Sequence, residues 1–207
     1  MGKEPTEGTG IVSRIIRALH RSRIPILAVA LVYSLSVITG IAMVSAGNGF
    51  AVATRDSIVA SAQSSPVLQS LDRNNRIRAA LLDFGGNLVG AVANTIGGLA
   101  VVVPFPIIAY RGWVGGIVSV DSAHVSRLIH PGQAAYYLIT LVLQLIPYTL
   151  SGGAGINMGL AYLRPKPLYQ GEKWLGIPKE AIRDMLRIYL IVVPLFLIAS
   201  LWEFLAV

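Results

Sequence analysis

Long apolar stretches alternate with polar segments along the whole chain. At a rise of about 1.5 Å per residue, four of these stretches are long enough to cross a bilayer as helices, and one is shorter. The pattern predicts five spans, at residues 24–46, 81–103, 107–120, 133–163 and 186–207. The polar segment at residues 48–80 fits either an ordinary loop or short surface helices over 56–62 and 67–82. We therefore expect an all-α fold, a polytopic transmembrane helix bundle.

The middle of the predicted bundle contains short or broken helices. Pro104 and Pro106 follow the second span closely and should end it, because proline removes an amide donor and restricts the preceding residue. The third segment is short and contains Arg111, so its length fits either a crossing helix or a re-entrant hairpin. We expect the fourth span to break near Pro147 or in the glycine run at residues 152–159.

The composition agrees with a membrane protein. Hydrophobic residues make up 54% of the 207 residues and charged residues only 13%, whereas charged residues approach about a quarter in soluble domains. The 17 basic residues outnumber the 10 acidic ones, but they cluster outside the apolar stretches, where signals for membrane orientation are found. The basic excess therefore predicts the lipid bilayer as partner and argues against nucleic acid.

The positions of the basic residues distinguish between two topologies. With five spans, 12 basic residues lie on the side of the N-terminus and five on the other side. With a re-entrant third segment, the numbers become seven and ten. Because basic residues concentrate on the cytoplasmic side, we expect five spans in the cell membrane. Residues 1–23 then form a basic cytoplasmic tail, and residues 24–207 form a single transmembrane domain.

Catalytic constellations are scarce in this sequence. There is no cysteine, which excludes thiolate nucleophiles and cysteine metal sites. The histidines His20, His124 and His130 lie outside the predicted spans, so none can activate a serine inside the membrane. A metal site made from Asp121, His124 and His130 is the remaining alternative to exposed loop residues. We expect no catalytic residues, no metal and no cofactor, and hence no enzyme.

Small and polar residues inside the spans are the stronger signal. Small residues let membrane helices approach closely, and polar side chains form hydrogen bonds between them. The candidate packing glycines are Gly86, Gly90, Gly97, Gly112, Gly116, Gly152, Gly155 and Gly159. The candidate polar seam consists of Asp83, Asn87, Asn94, Arg111, Thr140, Gln144, Asn157 and Glu203. Residue spacing does not distinguish a seam that joins helices from one that lines a pathway, and Asp83, Arg111 and Glu203 also fit positions at the membrane interfaces.

Several of these positions occur together in one pattern. The pattern comprises an F-x-x-N opening at the second span, two glycines after Arg111, a run of small residues after Gln144, and an acidic residue in the last span. The matching residues are Phe84, Asn87, Gly97, Gly112, Gly116, Gly155 and Glu203. In this combination, residues 80–207 resemble the stage II sporulation protein M family. Three positions differ, because Arg111, Thr140 and Gln144 stand where the family has Asn, His and Glu.

The resemblance implies an integral membrane scaffold, since the namesake of the family is understood to anchor cell-wall-remodelling hydrolases in a membrane complex. The leading hypothesis is therefore a scaffold or assembly protein that forms a homo-oligomer, or a complex with other membrane proteins, through its glycine-rich faces. The alternative is a transporter or channel component with a polar seam between broken helices, because discontinuous helices expose backbone groups to a solute.

Overall fold

The computed structural model describes residues 10–121, 123, 125, 127–164, 169 and 171–206. Within these ranges the chain forms seven α-helices and a hairpin of two-residue strands, β1 (Lys173–Trp174) and β2 (Ile177–Pro178). The helices are α1 (Ile11–Ser45), α2 (Gly49–Gln63), α3 (Pro66–Asp72), α4 (Arg76–Gly97), α5 (Pro104–Val118), α6 (Pro131–Leu163) and α7 (Lys179–Leu205). Four of them, α1, α4 extended to Ala100, α6 and α7, are long and apolar enough to cross a membrane. The predicted class, an all-α polytopic membrane bundle, is confirmed.

Helix α5 carries the chain back between two parallel helices. Asn87 of α4 contacts Tyr148 of α6, and Gly98 just after α4 meets Gly159 further along α6. Because α4 and α6 therefore run in the same direction, the chain must return between them. Helix α5 does this with 15 residues, about 22 Å at the usual helical rise. The sequence predicted five spans, and the structure has four long candidate spans with this shorter helix beside them.

The element boundaries differ from the predicted ones near the N-terminus. Helix α1 begins at Ile11, so the second half of the predicted tail is helical and continuous with the first span. The polar segment at residues 48–80 contains α2 and α3, together with the first turn of α4. The side chains of Asn48 and Ser65 accept hydrogen bonds from backbone amides at the starts of α2 and α3. These N-caps explain why a segment too polar to cross the membrane is nevertheless helical.

Helix α6 is continuous through Pro147, where we expected a break. Residues 147–159 are all buried against neighbouring helices. A proline costs a membrane helix one backbone hydrogen bond, and close packing on every side holds the helix together despite this loss. The break expected at Pro104 is present between α4 and α5, where Val101 adopts a φ of 62° ahead of Pro104, the first residue of α5.

Helix α6 lies at the centre of the bundle and contacts α1, α4, α5 and α7. We call the end at which α1 and α7 terminate the outer end, and the end at which they begin the inner end. Residues 147–159 of α6 are buried on all sides, whereas toward the outer end Leu138 and Val142 are exposed. The apolar core, which includes Val29, Ile108 and Phe196, lies between these two ends.

Candidate functional site

A chain of hydrogen bonds links four helices in the outer half of the bundle. The carboxylate of Asp83 accepts from the Asn87 amide at 2.8 Å and from the Ser200 hydroxyl at 2.7 Å. The Tyr148 hydroxyl donates to the Asn87 side-chain oxygen at 2.5 Å. That hydroxyl in turn accepts from the guanidinium of Arg111 at 2.5 Å. The chain therefore connects α7, α4, α6 and α5 inside the bundle.

A second polar contact lies nearer the outer end. The side-chain amide of Gln144 donates to the Glu203 carboxylate at 2.8 Å. The Tyr136 hydroxyl donates to the backbone oxygen of Glu203 at 2.8 Å, and its ring stacks on Trp202. These contacts fix the end of α7 against α6. Glu203 is thus held by neutral donors.

A cavity of about 840 Å³ borders both polar groups. Its walls come mainly from α5, and α1, α2, α4 and α6 contribute the rest. The lining residues are Tyr33, Ile58, Asn87, Pro106, Ile107, Tyr110, Arg111, Val114, Gly115, Val118, Gln144 and Tyr148. Asp83 and Glu203 are not among them, so Asn87 and Gln144 lie between the cavity and the two carboxylates. Arg111 is the one charged side chain in this lining.

Arg111 lies deep in the bundle. The adjacent Gly112 packs against the backbone of Tyr33, which is near the middle of the apolar part of α1. The guanidinium carbon lies 4.5 Å from the centre of the Tyr148 ring, within the range of a cation–π contact. A Cβ at Gly90 would collide with the guanidinium, so glycine at this position leaves room for Arg111 between α4 and α5. An arginine at this depth is costly unless it has polar partners or water.

The structure places the other predicted seam residues elsewhere. Thr140 donates to the backbone oxygen of Tyr136 within its own helix. Asn94 is 1% exposed, and neither of its side-chain polar atoms has a hydrogen-bond partner among the described residues. Asn157 lies toward the inner end. The structure therefore brings together Asp83, Asn87 and Arg111 as one group, and Gln144 with Glu203 as another.

Asn157 belongs to a buried cluster at the inner end. Its amide donates to the Tyr169 hydroxyl at 3.1 Å, and this hydroxyl donates to the Asp184 carboxylate at 3.1 Å. Asp184 is fully buried and also forms ion pairs with Arg21 at 2.9 Å and Arg187 at 2.8 Å. Burial raises the pKa of the Tyr169 phenol, which therefore remains a hydrogen-bond donor. The cluster ties α1, α6, α7 and the loop before α7 together.

Most of the predicted packing glycines lie at contacts within this chain. Gly112 and Gly116 meet the α1 backbone, and Gly155 and Gly159 meet the end of α4 and the turn after it. Gly152 lies against the Asn94 side chain, and Gly97 lies against Val103. Gly86 differs, since nothing lies within 4 Å of the position its Cβ would take. Gly86 is the one predicted packing glycine that faces open space.

Sequence reasoning missed Tyr148, Ser200 and Tyr33 at the outer site, and Asp184 and Arg21 at the inner cluster. A signal was present for Tyr148, because it lies one helical turn after Gln144 and thus on the same face of α6. Ser200 likewise lies three residues before Glu203. Tyrosine and serine are common within membrane helices, and their partners on other helices are not evident from spacing.

The described residues contain no group of three His, Asp or Glu side chains that could hold a metal ion. His124, which belongs to the alternative metal site, lies outside the described residues. The outer site presents one guanidinium, two carboxylates and several neutral hydrogen-bonding side chains beside a cavity.

Comparison with known proteins identifies the family. No curated protein and no solved structure matches the chain. The sequence model of the family described as stage II sporulation protein M matches residues 27–205, which include most of α1 and all of α2 to α7. The chain therefore belongs to the stage II sporulation protein M family.

Proposed function

We propose that this non-enzymatic integral membrane protein is a transporter or channel component whose solute passes through the cavity beside Arg111. The observation that carries the proposal is the hydrogen-bonded seam from Asp83 to Arg111, which borders a cavity of about 840 Å³ along α5. A seam that only joined helices would not need such a cavity. We place the protein in the cell membrane with a cytoplasmic N-terminus, as the distribution of basic residues predicts.

Tight packing toward the inner end supports the same proposal. Gly98, Gly155 and Gly159 bring the α4 and α6 backbones into close contact there, and the Asp184 cluster ties the helix ends together. A cavity next to tightly packed helices is what alternating access requires of one of its two states. In the second state, the contacts of the inner half would separate.

Cysteine labelling tests this proposal directly, because the chain has no cysteine of its own. Val114 lines the cavity, so we expect Val114→Cys to react with a membrane-impermeant thiol reagent. Ile198→Cys is the matched control, since Ile198 lies in the outer half of α7 and is exposed on the surface of the bundle, where lipid would cover it. Transport predicts labelling of Val114→Cys from both sides of sealed vesicles, and no reaction of Ile198→Cys.

Two results would count against transport. An unreactive Val114→Cys would mean that the cavity is dry, and labelling from one side only would describe a binding pocket without passage. Flux of ions and small solutes into liposomes containing the purified protein provides the second measurement. We expect Arg111→Ala or Gln144→Ala to change that flux.

A scaffold that assembles by helix contacts is the second candidate. One observation favours it: Gly86 is open, and Val89 on the same side of α4 is among the most exposed apolar residues. We expect Gly86→Leu to abolish an oligomer on native electrophoresis if this face is used. Gly132→Leu is the control, because Gly132 is equally open, and unchanged migration of Gly86→Leu would argue against assembly through α4.

A further inference from the structure

Arg111 has donor capacity that the protein does not use. A guanidinium carries five N–H donors in a planar fork, and the hydrogen bonds of Arg111 among the described residues consist of the one to the Tyr148 hydroxyl. The ion pairs among the described residues do not include Arg111. One guanidinium nitrogen lies against Gly90, and Arg111 lines the cavity. A planar fork of this kind suits a phosphate or carboxylate group.

The surroundings of Arg111 favour an anion over a cation. The two carboxylates of the outer site lie behind amides, because Asn87 donates to Asp83 and Gln144 donates to Glu203. Among the described residues, the cavity lining therefore presents a guanidinium, two amides and three tyrosines, with no acidic side chain. Hydrogen-bond donors around a single positive charge are typical of sites for anions.

The cavity opens through the side of the bundle. Pro106 and Tyr110 line it and are exposed, with Tyr110 60% exposed. They lie on the part of α5 that runs beside the apolar segment of α1, so the opening is at the level of the membrane. Helices α4 and α5 make few contacts with each other, which leaves a lateral gap. A ligand with an apolar chain can therefore enter the cavity from the lipid.

The remaining walls are apolar. Ile107 precedes Arg111 on the same face of α5, and Val114 and Val118 continue that face toward the outer end. An inorganic anion gains no free energy from contact with such walls, whereas an acyl or prenyl chain does because its apolar surface is buried there. The polar and apolar parts of the cavity together match a molecule with both kinds of group.

We propose that the cavity binds a membrane amphiphile that carries an anionic phosphate group, with the phosphate on Arg111 and the apolar chain leaving between α4 and α5 past Tyr110. This inference rests on the proposed function because both concern the same cavity. It adds the class of molecule that the cavity binds. The phosphate replaces the water that Arg111 would otherwise require inside the membrane.

Binding to the purified full-length chain in neutral detergent tests the proposal with three probes. Dioleoyl phosphatidic acid has both the phosphate and the chains, dioleoylglycerol has the chains alone, and inorganic phosphate has the charge alone. We expect the first probe to bind in native mass spectrometry and to raise the unfolding temperature, and the other two to do neither. Equal binding of dioleoylglycerol, or of inorganic phosphate, would overturn the proposal.

Two variants locate the site. Arg111→Gln should weaken the binding of dioleoyl phosphatidic acid by about tenfold or more, because a charge-assisted bidentate contact is lost. Arg183→Gln is the matched control, since Arg183 is an exposed basic residue on α7, and it should bind as the unaltered protein does. An equal loss in both variants would show non-specific attraction to anionic lipid and overturn the proposal.

A third variant covers the case in which Arg111→Gln fails to fold. Val114→Trp fills the cavity and leaves Arg111 in place, and it should reduce binding of the same lipid. Unchanged binding by Val114→Trp would overturn the cavity as the site. The lipid-binding test and the test of the proposed function can fail separately. Lipid binding without two-sided labelling of Val114→Cys would rule out transport alone. Two-sided labelling without lipid binding would rule out this inference alone.

Discussion

The inner and outer halves of the bundle use similar residues for opposite purposes. In the inner half, glycines bring helix backbones together, and a buried aspartate is neutralised by two arginines. In the outer half, Gly90 makes room for an arginine side chain, and the two carboxylates are bonded to neutral donors. Close backbone contacts consequently hold the inner half together, whereas the outer seam borders the cavity along α5. Glycines and charged side chains occur in both halves, so residue type alone does not determine whether helices pack closely or border a cavity.

The difference lies in how charge is compensated. Asp184 has its counter-ions within 3 Å, so the inner cluster is complete without any further molecule. Arg111 has no carboxylate paired with it among the described residues. A complete cluster contributes to stability, whereas an incomplete one is available for binding. Each of the following predictions tests this division.

The largest expected effect is at the inner cluster. Asp184→Ala removes the buried partner of Arg21 and Arg187, which keep the less buried Glu180. It also removes the acceptor of the Tyr169 hydroxyl, so the free energy of unfolding should fall by about 3 kcal/mol. Thermal or denaturant unfolding in detergent measures it. The control is Glu172→Ala, because the Glu172–Lys179 pair is exposed and should cost roughly 0–1 kcal/mol. Similar effects of both variants would contradict the special role of the inner cluster.

The next effect concerns the close helix contact. A Cβ at Gly155 would lie 2.7 Å from the Thr95 Cα, so Gly155→Ala must push α4 away from α6. We expect a loss of about 1–3 kcal/mol in unfolding free energy. Gly85→Ala is the matched control in another membrane helix, since nothing lies within 4 Å of that position. If Gly155→Ala proved as stable as Gly85→Ala, the inner half would not be closed by this contact.

The membrane helices could be predicted from the sequence, but most of the contacts between them could not. A bilayer permits few backbone structures, so the length of an apolar stretch nearly determines a crossing helix. The prediction of a break in α6 failed because Pro147 is held by neighbours that are distant in sequence. The same distance explains why Ser200 and Tyr148 were missed, since their partners lie 117 and 61 residues away.

The smallest effect on stability is expected at the outer seam, from Tyr148→Phe. This change removes one hydroxyl that bonds to both Asn87 and Arg111 but keeps the ring, so the unfolding free energy should fall by only about 1 kcal/mol, because both partners border the cavity and can bind water instead. Binding of dioleoyl phosphatidic acid should nevertheless change by severalfold, since the hydroxyl orients the guanidinium. Thermal unfolding and native mass spectrometry on the same preparation measure the two effects. A large loss of stability with unchanged binding would reverse the comparison, because the outer seam would then hold the helices together as the inner cluster does.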